Sequence, residues 1–253
     1  MQILDETRFV IMTCVYNAEK WIGKCINSVV NQMYDNYIQI VVDDASTDNT
    51  WYEIDVHAKH YPDKVYTYRN DKNVKWIQNA INHLDNHILN DEDVIVILDG
   101  DDWLAHNEVL ARVAMVYQQS DTWMTYSLFA YPDGGTSEWI PRYTTQTLKN
   151  RDFRNAVWSF THLRAFKAFL WNNLDRDDLR GPDGNYTPYT YDQALLFPML
   201  EMCPYGRVKF LNDVMYVYNT DNPLQVEKYD KTKQQALGRW FRSKQKYEIL
   251  ERQ

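Results

Sequence analysis

Three carboxylates stand within four positions, Asp99, Asp101 and Asp102, directly after the apolar run Val94-Ile-Val-Ile-Leu98. Charges of one sign packed that closely repel unless a cation neutralises them, and a ligand set made only of oxygens suits Mg²⁺ or Mn²⁺ better than zinc. A local reading competes: Asp101 or Asp102 could cap the helix expected to begin near His106. A second acidic pair, Asp43-Asp44, closes another apolar run, Gln39-Ile-Val-Val42. Turn and cap chemistry could account for either cluster alone. Both clusters on one rim of a parallel sheet, with Tyr16-Asn17 on the same rim, point to a ligand site instead. Carboxylates there can pair with base N–H groups or ribose hydroxyls, and a metal-bound carboxylate can serve a diphosphate. The rim suits a nucleotide diphosphate.

The elements that must hold these residues follow from apolar patterning. Phe9–Val15 reads as a strand, and Glu19–Asn31 as a helix with Trp21, Ile22, Cys25, Ile26, Val29 and Val30 on one face. Gln39–Val42 is a second strand, and Ser46-Thr47-Asp48 supplies an N-cap for a helix through His60. A strand over Val65–Arg69, a polar loop over Asn70–Asn73 and a helix over Lys75–Ile88 lead to the strand at 94–98. Five consecutive Val, Ile or Leu residues without alternation predict burial on both faces. The repeated strand–helix alternation predicts an α/β protein with a parallel, doubly wound sheet.

Beyond Trp103 the pattern predicts a helix over 106–119, an apolar stretch over 122–131, a turn at Pro132–Gly135 and an irregular aromatic segment over 136–160. Leu163–Leu174 reads as a helix with Phe166, Phe169, Leu170 and Leu174 on one face. A surface loop carries Asp175–Asp178 and Gly181–Gly184, and a helix runs from near Asp192 to about Met202. Two short strands (207–211 and 214–219) precede a last amphipathic helix over 228–253. That helix holds eight Lys/Arg against three acids, a net +5 in a chain of net charge −8. It is expected to dock on the domain's own surface, with contact to an anionic membrane or a protein partner as the alternative.

A length of 253 residues allows one large domain, or one with an appendage. The net charge of −8 argues against general nucleic-acid binding. Nineteen Tyr and nine Trp offer stacking platforms of the kind sugar and nucleotide clefts use, though Tyr is also a common surface residue. Cys14, Cys25 and Cys203 read as reduced, buried thiols of a cytoplasmic protein. The acidic N-terminal residues do not read as a signal peptide, and no stretch approaches the ~20 apolar residues of a transmembrane helix.

Four segments in order, Thr13-Cys-Val-Tyr-Asn-Ala-Glu19, Ser28-Val-Val-Asn-Gln32, Ile40-Val-Val-Asp-Asp-Ala-Ser-Thr-Asp-Asn-Thr50 and Leu98-Asp-Gly-Asp-Asp102, resemble the donor half of the family-2 glycosyltransferases with the GT-A fold. The resemblance spans residues 8–120 and implies a Rossmann-like, mostly parallel central sheet flanked by helices, with an acceptor-side extension. It implies that Tyr16 and Asn17 line a base pocket, Glu19 meets the ribose or base edge, and Asp44 bonds the base with Asp43 beside it. Asp99 and Asp101 would form the DxD pair, Asp99 reaching the ribose and Asp101 the Mn²⁺ or Mg²⁺ that bridges the phosphates. The family usually has a Gly and an Arg-Asn pair before the DxD strand; Asn73-Val-Lys-Trp-Ile-Gln-Asn79 lacks that Gly and has Gln78-Asn79. Lys72 and Lys75 are candidate phosphate contacts, with solvated lysines as the competing reading.

On this resemblance residues 1–120 hold a nucleotide-sugar donor, 121–227 bind a glycan or other hydroxyl acceptor and supply the base, and 228–253 form the terminal helix. Inverting relatives use an acid at a helix start beyond the DxD to deprotonate the acceptor, which places the base at Asp192, ahead of Asp177, Asp178 and Asp183. His162 would line the sugar or acceptor pocket, or be a hydrogen-bonded structural histidine. The run Gln234-Gln-Ala-Leu-Gly-Arg-Trp240 is near to the QxxRW motif of processive relatives but one residue too long from Gln235. The competing function is a catalytically silent nucleotide-sugar or glycan-binding module. A dehalogenase-type phosphatase is disfavoured by Trp103 where Thr or Val is needed, and a calcium loop at 44–55 by Asn49 and Asp55.

Overall fold

Successive residues of the central strands enter two separate apolar cores, one on each face of the sheet. The computed structural model describes residues 7–87, 89–223 and 230–252. In chain order the first half holds β1 (Phe9–Val15), α1 (Ile22–Val30), β2 (Tyr37–Asp43), α2 (Thr50–Ala58), β3 (Val65–Arg69), α3 (Lys75–Leu84), β4 (Val94–Ile97), β5 (Trp103–Leu104) and α4 (Val109–Gln119). The second half holds β6 (Met124–Ala130), α5 (Thr145–Asn150), β7 (Arg164–Lys167), α6 (Ala168–Asn172), α7 (Tyr191–Met202), β8 (Val208–Val217) and α8 (Lys231–Ser243).

Ile95 and Ile97 of β4 face one core with α3, α6, α7 and α8. Val94, Val96 and Leu98 face the other with α1, α2 and α4. Both faces of β4 are covered, as the unbroken apolar run requires, and each such side chain contributes roughly 1.5–3 kcal/mol by leaving water.

The sheet order is β3-β2-β1-β4-β7-β6-β8-β5, with β3, β2, β1 and β4 parallel. The chain winds outwards from β1 to β3, then returns through α3 to place β4 on the other side of β1. This reversal opens a crevice beyond the carboxyl ends of β1 and β4, where ligands of open α/β sheets bind. The acidic loop after β4 leaves into that crevice.

The second half departs from the sequence expectation in several places. Residues 164–167 form a strand, antiparallel to both β4 and β6, and the helix expected over Leu163–Leu174 is reduced to Ala168–Asn172. Sheet pairing overrides the helical spacing, because Ala165 and Phe166 fill opposite cores from an extended chain. The two short strands expected over 207–219 are one, Val208–Val217, with an irregular register against β6. Helix α2 begins at Thr50, and Asp48, not Ser46, meets its first turn, its Oδ1 accepting the Thr50 N–H at 3.0 Å. The helix expected over 75–88 ends at Leu84, and the segment over 136–160 includes the short helix α5.

The terminal helix ends at Ser243, and Gln245–Glu251 has no regular secondary structure. Positions 228, 229 and 253 of the expected helix lie outside the described residues. Docking on the domain's own surface is observed: α8 buries Leu237, Gly238 and Phe241. The following chain is tied down by Glu201, which accepts the Tyr247 N–H at 3.1 Å and is clasped by Arg154 at 2.6 and 2.8 Å.

Gly100 fixes how closely the acidic loop approaches β1. Its N–H donates to Cys14 O at 3.1 Å, and a Cβ there would lie 2.5 Å from the Val15 Cβ. Gly100→Ala is therefore expected to destabilise the fold by about 1–3 kcal/mol, read as a lower urea midpoint. An unchanged midpoint would show that the loop can lift away from β1.

Candidate active site

Strands β1, β2 and β4 end on one rim, with Val15 opposite Asp43 in the parallel register. The loops that leave β1 and β2 are laced together by residues singled out in the sequence. Asn17, in the left-handed region at φ 50°, accepts the Thr47 N–H at 2.7 Å through Oδ1, and its own N–H donates to Ser46 Oγ at 2.9 Å. Glu19 accepts the Asn49 N–H at 2.9 Å. Tyr16 is exposed beside them, with Lys75 Nζ 5.9 Å from its ring centre.

Asp43 and Asp44 are both buried, and they turn to different partners. Asp43 accepts the Ser46 N–H at 3.0 Å and faces Arg69 Nε at 3.1 Å, so Arg69 and not Asp43 reaches the surface. Asp44 accepts the Val74 and Lys75 N–H groups at 2.9 Å each and the Asn70 amide at 2.8 Å. It holds the start of α3, whose first N–H groups lack partners within the helix. Lys75 itself sits at φ 71°, the conformation that favours glycine, at the segment where the resembled family carries one. A cleft of about 440 Å³ opens here, lined by Ala45, Ser46, Arg69, Asn70 and Asp71. Lys72 is exposed in the preceding loop and, among the described residues, makes no hydrogen bond or ion pair.

The three carboxylates after β4 take three separate roles. Asp102 is buried and binds β8: Tyr216 Oη donates to its Oδ2 at 2.6 Å and the Asn219 N–H to its Oδ1 at 2.7 Å. Neither Asp102 nor Asp101 caps a helix. Asp101 receives the Asn222 amide at 2.8 Å on one oxygen. Asp99 has both oxygens 2.8 Å from the Tyr191 hydroxyl. Burial first, then repulsion from Asp101, raises Asp99 to about 6. Asp101 is raised mainly by burial, and Asp102 well above the usual range by burial and by its two acidic neighbours.

This charge is only partly compensated, and its donors are oxygens alone. Among the described residues no three His, Cys, Asp or Glu side chains converge to cage a metal. Mg²⁺ or Mn²⁺ held by one or two carboxylates, with the remaining ligands from substrate phosphates and water, fits that donor set.

Asp192 opens α7 within reach of the same network. Its Oδ2 receives Arg164 Nη2 at 3.1 Å and its Oδ1 the Gln193 N–H at 2.9 Å. Tyr191, its neighbour, bonds Asp99 and stacks on Trp76 of α3 at 4.4 Å and 11°. Arg164 is buried and lies opposite Ile97 in the β4–β7 register, two residues before Asp99. His162 is buried and stacks on Tyr216 at 4.4 Å. Burial, with the Arg164 charge second, pushes its imidazole well below its ordinary value, so it is neutral. It also stacks on Tyr218 at 5.7 Å, and its Nδ1 has no hydrogen-bond partner. Asp177, Asp178 and Asp183 stand elsewhere: Asp177 pairs with Arg180, Asp178 with Lys244 and Tyr247, and Asp183 with Asn185.

Sequence reasoning missed Arg164, Tyr191, Tyr216, Asn222 and Arg69. The helix expected over 163–174 concealed Arg164, which the strand's alternation could have aimed at the rim. Tyr216 and Asn222 carry no local signal, since their partners lie more than a hundred residues away.

The chain belongs to the glycosyltransferase family 2: the family profile "Glycosyl transferase family 2" matches residues 10–174. It is similar to EpsE of Bacillus subtilis, a glycosyltransferase by name, at 36% identity over 88 residues, 35% of this chain and 31% of that protein. An uncharacterized glycosyltransferase of Haemophilus influenzae is 36% identical over 72 residues, 28% of this chain and 19% of that one. The matched stretches thus span a third or less of these relatives. In structure the chain is similar to TarS of S. aureus, with a TM-score of 0.64 at 18% identity, over 84% of this chain and 37% of that one. The mannosyltransferase PcManGT of Pyrobaculum calidifontis, in complex with GDP-Man and Mn²⁺, gives 0.58 at 18%, over 85% and 58%. The fold is GT-A.

Because Asp99 is raised to about 6, the folded chain holds a proton there that the unfolded chain releases near pH 4. Stability should fall as pH rises through that window and level off above it. In metal-free buffer Asp99→Asn, which keeps an acceptor for Tyr191, is expected to raise the melting temperature near pH 7.5 and change it little near pH 4.5. Equal shifts at both pH values would remove the charge explanation.

Proposed function

We propose that the chain is a metal-dependent inverting glycosyltransferase that moves a sugar from a nucleotide diphosphate, UDP foremost, to a hydroxyl of a glycan or other acceptor. The observation that carries this reading is the nearness of Asp99 to Asp192: Tyr191, which bonds both oxygens of Asp99, directly precedes Asp192 in α7, and Asp192 in turn pairs with Arg164. A base placed beside a diphosphate-binding carboxylate pair is what transfer requires and what a silent binding module does not. Structures of TarS 1-349 with UDP-GlcNAc and with UDP support a uridine donor, and PcManGT with Mn²⁺ supports the metal.

In this reading residues 1–120 hold the donor. The cleft beside Arg69 and Asn70 receives the base, with Tyr16 as the exposed ring and Asp44 keeping α3 in place. Asp99 and Asp101 would hold Mn²⁺ or Mg²⁺, which when bound supplies Lewis-acid stabilisation of the leaving diphosphate. Residues 121–227 present the acceptor. Asp192 takes the proton from its hydroxyl, and that oxygen attacks the anomeric carbon from the face opposite the diphosphate. Arg164 holds the Asp192 carboxylate in orientation through the 3.1 Å ion pair. Tyr191 keeps Asp99 pointed at the same crevice.

Three unpaired cysteines support a reducing, cytoplasmic setting. No helix among the described residues is long and apolar enough to cross a membrane. The packing of the terminal helix on α7 supports its reading as part of the domain.

Thermal shift with UDP, with and without Mn²⁺, separates the roles. Asp101→Asn is expected to lose the Mn²⁺-dependent stabilisation by UDP. Asp192→Asn should keep it and lose sugar transfer by a factor of 10² or more, roughly the contribution of a general base. Loss of UDP binding in a folded Asp192→Asn would overturn the base assignment.

A further inference from the structure

A second cleft, of about 430 Å³, opens between α7 and α8 with Asp192 in its wall. Trp158, Gln193, Gln235, Arg239 and Arg242 complete the part that matters here. Two buried polar atoms in that wall have no hydrogen-bond partner: Gln193 Oε1, an acceptor, and Trp158 Nε1, a donor. Leaving such atoms unpaired costs about 1–3 kcal/mol each, and a sugar hydroxyl, both donor and acceptor, would relieve that cost if these side chains turned towards it on binding.

The charges in the cleft are unequal. Asp192 is already paired with Arg164, and the Arg242 guanidinium is turned onto the carbonyls of Arg154 and Ala156. Arg239 is exposed and, among the described residues, makes no ion pair or hydrogen bond. One uncommitted guanidinium therefore stands in the same cleft as the base, and a guanidinium is built to take a carboxylate or phosphate through two N–H groups at once.

We propose that this cleft is the acceptor subsite and that it selects a hydroxyl-bearing acceptor carrying a negative charge, bound by Arg239. The proposal rests on the reading of Asp192 as the base. It makes the terminal helix a wall of the binding site, and its basic residue a determinant of which acceptor enters. Carboxylate and phosphate share the chemistry that Arg239 reads.

Ligand-observed NMR titration of the full chain, with UDP and Mn²⁺ present, tests it with three probes: methyl glucoside, methyl glucuronide and glucose 6-phosphate. At least one anionic probe is expected to bind about tenfold more tightly than the neutral glucoside, the worth of one charge-assisted contact. The tighter of the two identifies the anion. Arg239→Gln should bring that affinity down to the neutral level, and Arg239→Lys should restore part of it. Equal affinities for all three probes, binding of none, or an anion preference that survives Arg239→Gln would overturn the proposal. Thermal shift by UDP on the same samples keeps the two readings apart: UDP stabilisation without anion preference removes the acceptor proposal alone, whereas absent UDP stabilisation removes the donor reading.

Discussion

Negative charge gathered at the buried end of β4 is the constraint on which the remainder of this structure depends. Asp99, Asp101 and Asp102 are crowded where water is scarce, and all three are raised by burial. Such a cluster persists only where neighbours share its load. Tyr191 from α7, Tyr216 from β8 and Asn222 from the loop after β8 each bring one hydrogen-bonding group to one carboxylate. The second half of the chain is thereby fastened to the first through the groups that would meet a substrate. Stability and function are coupled at this point, since a bound cation would relieve the repulsion that the fold otherwise carries.

The acidic rim and α7 are also joined through α3. Asp44 fixes the first turn of α3, and Trp76 in that turn stacks on Tyr191. Lys75 adopts a left-handed backbone in order to present its N–H to Asp44, a conformation that costs a non-glycine residue roughly 1–2 kcal/mol. The chain tolerates that cost because the carboxylate and the stacked ring together determine where α3 begins. A displacement of the β2–α2 loop would be felt at Asp99 by way of two aromatic rings and one hydroxyl.

The terminal segment contributes through its apolar face and through its charges separately. Leu237 and Phe241 dock α8 against α7, and Arg154 and Glu201 clasp the chain that follows. Lys231, Lys233 and Arg239 remain exposed, Arg239 in the lining of the cleft that also holds Asp192, while Arg242, in the same lining, is turned onto backbone carbonyls. A helix that looks like an appendage from its composition is thus placed where it can shape a binding site.

The sequence by itself determined the parallel half of the fold. Val, Ile and Leu without alternation in β4 require two covered faces, and acids that close β2 and β4 had to emerge at the carboxyl rim; both follow from periodicity and chain direction alone. It also singled out Asp192 at a helix start. Only the tertiary structure decided what each carboxylate faces. Asp43 turns inward to Arg69, Asp44 to the backbone of α3 and Asp102 to Tyr216, so that of five rim acids only Asp99 and Asp101 are left for a cation. Tertiary structure likewise turned residues 164–167 from an expected helix into the strand that sets Arg164 beside Asp192. The physical reason is the same in each case: a side chain's period is a local property, whereas its hydrogen-bond partner comes from another element, 28 residues away for Arg164 and Asp192 and 114 for Asp102 and Tyr216, and is met only once the sheet has been assembled.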